Sequence, residues 1–197
     1  MTSVFDPAGK QIACTVVEAG PCTVTQVKTM EKDGYSALQI GFGSKKEKNT
    51  SKPMLGHFKK TGTAPKSKVL ELRDTSIEKN AGEAITCEIF TEGETVHVSG
   101  TSKGKGFQGV VKRHGFSGIG MVHHGQHDRQ RAPGSLGGSS YPARVFKGLR
   151  MAGQTGNVTK KIRNLKVVKI FPDQNLILVS GNVPGAIGSY LIIENEQ

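Results

Sequence analysis

Acidic side chains are nearly absent from one internal stretch of this chain, residues 100–163, in which Asp128 is the single carboxylate. We call this stretch the basic segment, because it carries twelve lysines and arginines and a net charge of +11. The rest of the 197-residue chain balances fifteen basic against fifteen acidic side chains. Clustered like charges repel one another and destabilise a compact state. The distribution therefore predicts an anionic partner: nucleic acid, a membrane surface or an acidic molecule.

Apolar side chains are also scarce: they make up 35% of the residues, aromatic residues make up 6%, and tryptophan is absent. This supply can build a core for only part of the chain, so some of the remainder is expected to be bound or extended. No apolar run approaches the roughly 18 residues of a membrane span. The first residues, MTSVFDPAGK, have neither the apolar centre of a signal peptide nor the bias of a transit peptide. We expect a cytosolic location and no membrane partner.

Cysteine is limited to Cys14, Cys22 and Cys87, an odd number without any CxxC spacing. Each of the three lies in a run of residues that is typical of a β-strand. A buried, reduced thiol is the ordinary state of such a cysteine, so the sequence predicts neither a disulfide framework nor a cysteine metal site.

Outside the basic segment the chain has the pattern of a mainly β protein, with short β-branched runs separated by turns of glycine, proline and aspartate. The expected strands are 12–20, 22–27, 35–43, 68–73, 84–90, 95–100, 165–171, 175–181 and 189–195. A short helix is expected over 51–62. Many short strands favour a closed antiparallel barrel, because closure removes exposed edges. Since strands resume after the basic segment, we expect a discontinuous barrel body of residues 1–99 and 164–197, interrupted by an extension of residues 100–163.

The basic segment itself shows little regular structure. One helix is predicted over 107–115, with Phe107, Val110 and Val111 facing the body and the following cations facing outward. Residues 116–157 have no convincing periodicity. A structureless loop of this length is uncommon in a compact domain unless a partner orders it, and this is the interpretation that we favour.

Two motifs in the basic segment resemble ligand sites. Gly104, Gly106 and Gly109 match G-x-G-x-x-G, but a dinucleotide site requires a parallel βαβ unit, and the surroundings are β-rich. The histidines of HHGQHD (123–128) could hold zinc, yet no helix fixes their spacing and no cysteine is near. Contact with phosphate, or stacking on bases, fits the surrounding charge better. We predict no metal and no cofactor.

No catalytic constellation is evident, so the sequence predicts a protein that is not an enzyme and has no small-molecule substrate. Two rival hypotheses stay open at this point. One is a barrel enzyme whose basic loop grips a phosphorylated substrate, with Asp128, His124 and His127 as its candidate groups. The other is an RNA chaperone that acts on its own.

RNA is the anion that best suits the side chains of the basic segment. Folded RNA is bound through phosphates and 2′-hydroxyls and through stacking on unpaired bases. Lysine and arginine supply the first kind of contact, and Phe107, Phe116, Tyr141 and Phe146 supply the second. The fourteen glycines of the segment let the backbone lie close to the RNA.

Three motifs in order also carry a family resemblance. They are VSGTSKGKGFQGVVKRHGF (98–116), the pattern RAPGSLGG…P.RVFKG..MAGQTGNV (131–158) and LILVSGNVPGAIGSYLII (176–193). Together they make the chain similar to the bacterial family of large-subunit ribosomal protein three, from MTSVF almost to the C-terminus. The resemblance implies a translation-protein-type β-barrel with a long extension that reaches through rRNA towards the peptidyl-transferase centre. It further implies direct binding of 23S rRNA, early nucleation of subunit assembly, and large-subunit proteins fourteen and nineteen as neighbours in the cytoplasmic ribosome.

The family pattern also assigns residues. By resemblance, seven cations are expected to contact rRNA: Lys103, Lys105, Lys112, Arg113, Arg131, Lys147 and Arg150. The chemistry of the segment adds Phe107, His114, His124, His127, Arg129, Arg144, Gln154, Lys160 and Lys161. The tip nearest the peptidyl-transferase centre is expected to be Gly138, Ser139, Ser140, Tyr141 and Pro142.

The chain departs from the family pattern in two places. Met1-Thr2 coincides with the end of the family's basic first strand, so either the chain begins further upstream or the barrel lacks one strand. Some relatives have a methylated glutamine near the position of Ser140, and GGSSYP contains none, so we expect no such modification there.

Overall fold

A computed structural model describes residues 1–73, 77, 79–120 and 123–195. The strands are β1 Thr2–Phe5, β2 Gln11–Glu18, β3 Cys22–Lys28, β4 Ala37–Ser44, β5 Lys66–Arg73, β6 Ala84–Ile85, β7 Thr95–Thr101, β8 Phe107–Gln108, β9 Gly153–Gln154, β10 Thr159–Phe171, β11 Leu176–Ser180 and β12 Leu191–Asn195. The α-helices are α1 Met30–Asp33, α2 Lys52–Lys60 and α3 Val110–His114. Short 3₁₀ turns occupy Glu47–Asn49, Cys87–Ile89, His127–Arg129 and Pro172–Gln174.

The mainly β fold class is confirmed. A six-stranded sheet has the order β1-β2-β11-β10-β7-β12, a four-stranded sheet has the order β5-β4-β3-β6, and β8 pairs with β9. The pairings β1–β2, β2–β11, β10–β11, β3–β4 and β4–β5 are antiparallel. Among the described residues, however, these ladders do not close into one barrel. The strand expected over 84–90 is only two residues long, because the chain turns into a 3₁₀ helix at Cys87–Ile89 and leaves β6 as a short edge.

The helix expected over 107–115 is shorter than the sequence pattern predicts. Phe107 lies in β8, paired with Gln154, and α3 begins only at Val110. The expectation that Phe107 faces the body is wrong, since its side chain is 75% exposed, whereas Val110 is buried. A residue in a two-stranded ribbon has no third strand or helix to cover it, and this accounts for the exposure of Phe107. The helix expected over 51–62 is confirmed as α2.

The chain divides into two compact units. Unit 1 holds residues 1–97 and 163–182 with the C-terminal residues from 194, and unit 2 holds residues 98–162 and 183–193. Of the fourteen buried hydrophobic residues in the described chain, twelve belong to unit 1 and only Val98 and Val110 to unit 2. Most of the buried hydrophobic core of the described chain therefore lies in unit 1.

The core of unit 1 forms where alternating strand residues point to one face. Val24, Leu38 and Ile85 pack together from β3, β4 and β6, with Cys22 and Ile40 against them. Cys14 and Cys87 are buried, Cys22 is half-buried, and all three thiols are free, as the sequence predicts. Burial raises the pKa of the Cys22 thiol, although Lys66 opposes the shift.

One polar network joins the strands of the second sheet. Lys28 Nζ lies 2.8 Å from Glu71 Oε1, and the Tyr35 hydroxyl donates to Glu71 Oε2 at 2.9 Å. The Tyr35 hydroxyl also accepts from Lys28 Nζ at 2.5 Å. The hydrogen bond from Lys28, and then that from Tyr35, lowers the pKa of Glu71. The hydrogen bonds to Glu71 and Tyr35 raise the pKa of Lys28.

This network predicts a component of acid sensitivity. Because the folded-state pKa of Glu71 lies below the ordinary value of 4.5, its contribution to stability is complete above pH 4.5. The contribution is lost as the pH falls through the folded-state pKa. Glu71→Gln should therefore lower stability at neutral pH and flatten the acid limb of a stability–pH curve measured by urea unfolding. Glu18→Gln, at an exposed position of β2, is the matched control, and parallel acid limbs for E71Q and the wild type would contradict the prediction.

Candidate nucleic-acid interface

The two ends of the basic segment are tied together by a two-stranded ladder. We call residues 102–108 and 153–158 the ribbon. Four backbone hydrogen bonds flank the β8–β9 pair: Ser102 N to Val158 O at 2.9 Å, Asn157 N to Ser102 O at 3.1 Å, Lys105 N to Thr155 O at 2.9 Å and Thr155 N to Gly106 O at 3.0 Å. Residues about fifty positions apart in sequence are thus paired, and the base of the segment has defined structure.

The ribbon requires glycine at one position. Gly156 has φ +73°, a conformation that other residues rarely adopt, and a Cβ atom there would overlap the carbonyl oxygen of Lys103. The same Cβ would lie 3.0 Å from the backbone nitrogen of Lys105. Glycine therefore permits the two chains of the ribbon to approach closely. In the sequence, Gly156 lies in the stretch GQTGNV (153–158), but the pattern alone does not indicate that this position requires glycine.

Two of the predicted rRNA contacts hold the far end of the ribbon. Arg113 Nη1 donates to the carbonyl oxygen of Met151 at 2.6 Å, and His114 Nε2 lies 3.0 Å from the same oxygen. Both side chains come from α3, which ends at Gly115 in the left-handed conformation. Since a carbonyl oxygen only accepts, His114 Nε2 carries a proton in this arrangement. Arg113 and His114 thus connect α3 to the chain at Met151, which lies 38 residues after Arg113 in sequence.

Nearly all of the predicted rRNA contacts, Arg113 included, lie at the surface. His114 is half-buried, and the rest of the predicted rRNA-binding set is exposed: Lys103, Lys105, Phe107, Lys112, Arg113, His124, His127, Arg129, Arg131, Arg144, Lys147, Arg150, Gln154, Lys160 and Lys161. Lys160 and Lys161 lie on β10, which begins at Thr159 and so extends the regular structure further into the basic segment than the pattern predicts.

Exposed aromatic rings accompany these cations. Tyr141 is 93% exposed, Phe107 75% and Phe146 60%. The guanidinium carbon of Arg144 lies 5.5 Å from the centre of the Phe146 ring. Burying such rings against water-exposed bases is favourable, because a base presents a planar face of matching size. The arrangement is suited to stacking as well as to phosphate binding.

The predicted tip forms a turn closed by its own backbone. Ala143 N donates to Ser139 O at 3.0 Å, and a Cβ at Gly138 would lie in ordinary contact with Val145. Ser139, Ser140 and Tyr141 are exposed on this turn, and Pro142 is half-buried. The turn presents small side chains and one ring on a compact backbone.

The histidines of 123–128 do not form a metal centre in the described chain. His124 and His127 are exposed, and no group of three or more histidine, cysteine or carboxylate side chains there is arranged to hold an ion. His127–Arg129 form a 3₁₀ turn that presents Arg129 to solvent. Within the same described ranges, no helix is long and apolar enough to cross a membrane.

The pattern Gly-x-Ser-x-Gly also occurs in the chain, over residues 100–104. In hydrolases this pattern places a nucleophilic serine on a turn between a strand and a helix. Here Ser102 starts the ribbon, and its hydroxyl accepts a hydrogen bond from Val158 N at 3.3 Å. The serine closes a ladder between two extended chains, which is a structural role.

Comparison with known proteins agrees with these features. The family model described as ribosomal protein L3 matches residues 43–182, which include the whole basic segment. The large ribosomal subunit protein uL3 of Salinibacter ruber (strain DSM 13855 / M31) is 58% identical over 192 residues. That alignment covers 97% of this chain and 92% of the relative.

Proposed function

The chain belongs to the ribosomal protein L3 family, so we propose that its basic segment binds 23S rRNA directly. Membership of this family makes the protein a structural, non-enzymatic constituent of the bacterial large ribosomal subunit in the cytoplasm. The observation that carries the proposal is the position of the charge. All of the +11 excess lies in residues 100–163, and most of those cations are exposed. Phosphates supply the anions that the segment lacks.

The proposal divides the work between two parts of the chain. Residues 1–99 and 164–197 act as the anchoring body, and residues 100–163 act as the extension that enters the RNA. Among the described residues of 100–163, Val110 is the one buried hydrophobic residue, and this scarcity supports the division, since such a segment gains stability from a partner more than from its own core. Binding of this kind would let the protein nucleate early assembly, with large-subunit proteins fourteen and nineteen as its neighbours.

Salt dependence and sedimentation test the proposal. Each neutralised phosphate releases condensed cations, so the logarithm of the affinity for a 23S rRNA fragment should fall with the logarithm of salt by about 0.7–0.9 per contact. The tagged protein should also co-sediment with large subunits in a sucrose gradient. A salt-insensitive affinity would overturn the proposal, and protein that stays at the top of the gradient would favour the free RNA chaperone instead.

We further propose that the tip, residues 138–142, approaches the peptidyl-transferase centre. Bulky or charged replacements of Ser139 and Ser140 should leave thermal unfolding of the free protein unchanged, because both side chains are exposed. They should alter peptide-bond formation, or sensitivity to drugs bound at that centre, in ribosomes that carry the variant. Wild-type translation and drug response across the series would count against this placement. Replacements at exposed Ser117, elsewhere in the basic segment, serve as the matched control.

A further inference from the structure

An open cavity of about 300 Å³ lies in unit 2, beside the far end of the ribbon. Its wall is largely apolar and includes Val110, Arg131, Pro133, Leu136, Met151 and Ala152. We propose that this cavity receives one unpaired base of the bound RNA while Arg131 binds the adjoining phosphate or stacks on the base. The inference rests on the proposed function, and it names a subsite within that interface.

The size and lining of the cavity suit a single base. A volume of about 300 Å³ is at the lower end of the ~300–1,000 Å³ range of small-ligand pockets, and it is large enough for one planar heterocycle. The side chains of Pro133, Leu136 and Met151 offer apolar surface, and a thioether makes favourable contacts with aromatic rings. Bases stack on such surfaces with little regard to sequence.

Charge selects a nucleotide over an apolar protein side chain. Arg131 is the charged residue of the cavity wall, and Lys112 and Arg113 follow Val110 on α3. Asp128 is the single acid of the whole basic segment. The ribose of a nucleotide carries a negatively charged phosphate, so a base in the cavity brings a phosphate close to these cations. An apolar side chain of a protein would leave the cations without an anionic partner.

Contacts within the chain hold the walls of the cavity in place. Met151 is fixed by the hydrogen bonds of its carbonyl oxygen to Arg113 and His114. Val110 is buried and anchors α3, and the Arg131 side is held by the hydrogen bond from Ile119 N to Gln130 O at 3.2 Å. A preformed site avoids the cost of ordering its walls on binding. We therefore expect the base to be selected by shape and charge.

The test compares two probes of equal charge on the full-length protein. Both are abasic ribose-phosphate oligomers of the same short length, and one of them carries a single adenosine at its centre. The phosphates are identical, so any difference in affinity comes from the base. The adenosine should tighten binding by about tenfold, the effect expected for one stacked base. Leu136→Ser, which makes the wall polar, and Ala152→Leu, which fills the cavity, should each bring the two affinities close together.

Ile187→Ser is the matched control, because Ile187 is a fully exposed aliphatic residue outside the cavity, and this variant should keep the preference. Thermal unfolding checks that each variant folds. If both probes bind equally with a normal salt slope, the cavity proposal fails and the proposed function stands. If the adenosine preference survives in both L136S and A152L, the base binds elsewhere and the cavity proposal also fails. If neither probe binds in a salt-dependent way, the two proposals fail together.

Discussion

Replacing Gly156 by alanine should open the ribbon and lower the free energy of unfolding by about 2–3 kcal/mol. Two costs add at this position. The left-handed backbone conformation is unfavourable for alanine, and the new Cβ overlaps the carbonyl oxygen of Lys103, a backbone atom that cannot rotate away. Hydrogen exchange should report the opening directly, with faster exchange of the Ser102, Lys105 and Thr155 amides. Affinity for the rRNA fragment should fall as well, because the segment must then be ordered during binding.

Gly106→Ala is the matched control for G156A. Gly106 lies in the same ribbon with a similar φ of +66°, but open space surrounds the position of its Cβ. Its alanine variant should therefore cost only the conformational penalty, about 1–2 kcal/mol. Equal destabilisation in the two variants would show that the close approach of the two chains contributes nothing. Unchanged exchange of the three ribbon amides in G156A would contradict the role assigned to Gly156.

The position of the charge should matter far more than its amount. Exchanging four cations of the basic segment for glutamine (Lys103, Lys105, Lys147 and Arg150) lowers the net charge from +11 to +7. If each cation contacts one phosphate, the salt slope should shrink by about 3 and the affinity for rRNA should fall on the order of a hundredfold at physiological salt. Fluorescence anisotropy over a salt series measures both quantities.

A second fourfold variant separates contact from bulk electrostatics. Exchanging Lys32, Lys45, Lys46 and Lys48 for glutamine also gives a net charge of +7, at exposed positions outside the basic segment. Its affinity and salt slope should remain close to those of the wild type. Equal losses in the two variants would mean that net charge alone attracts the RNA, and the assignment of contacts to the basic segment would then be wrong.

Local patterns predicted the elements well where the pattern and the packing agree. The alternation around Val24 and Leu38 marks strands whose one face is buried, and both residues lie in the core of unit 1. The prediction failed where a long-range partner overrode the local pattern. Phe107 looks like the start of an amphipathic helix, yet pairing with Gln154 draws it into β8 and leaves it exposed. The strand predicted over 84–90 stopped early because a 3₁₀ turn follows β6.

The sequence by itself determined where the charge lies, that the chain is mainly β, and which family it belongs to, because composition and ordered motifs are local properties of the chain. Only the tertiary structure decided which residues of the basic segment contact one another. In the folded chain Arg113 and His114 hydrogen-bond to the carbonyl oxygen of Met151, and the backbone of Lys103 lies against Gly156. The cavity is lined by Gly109 and Val110 together with residues from Arg131 onward, further along the basic segment. Such pairings join positions tens of residues apart, and a pattern read along the chain carries no information about which distant residue will be the partner.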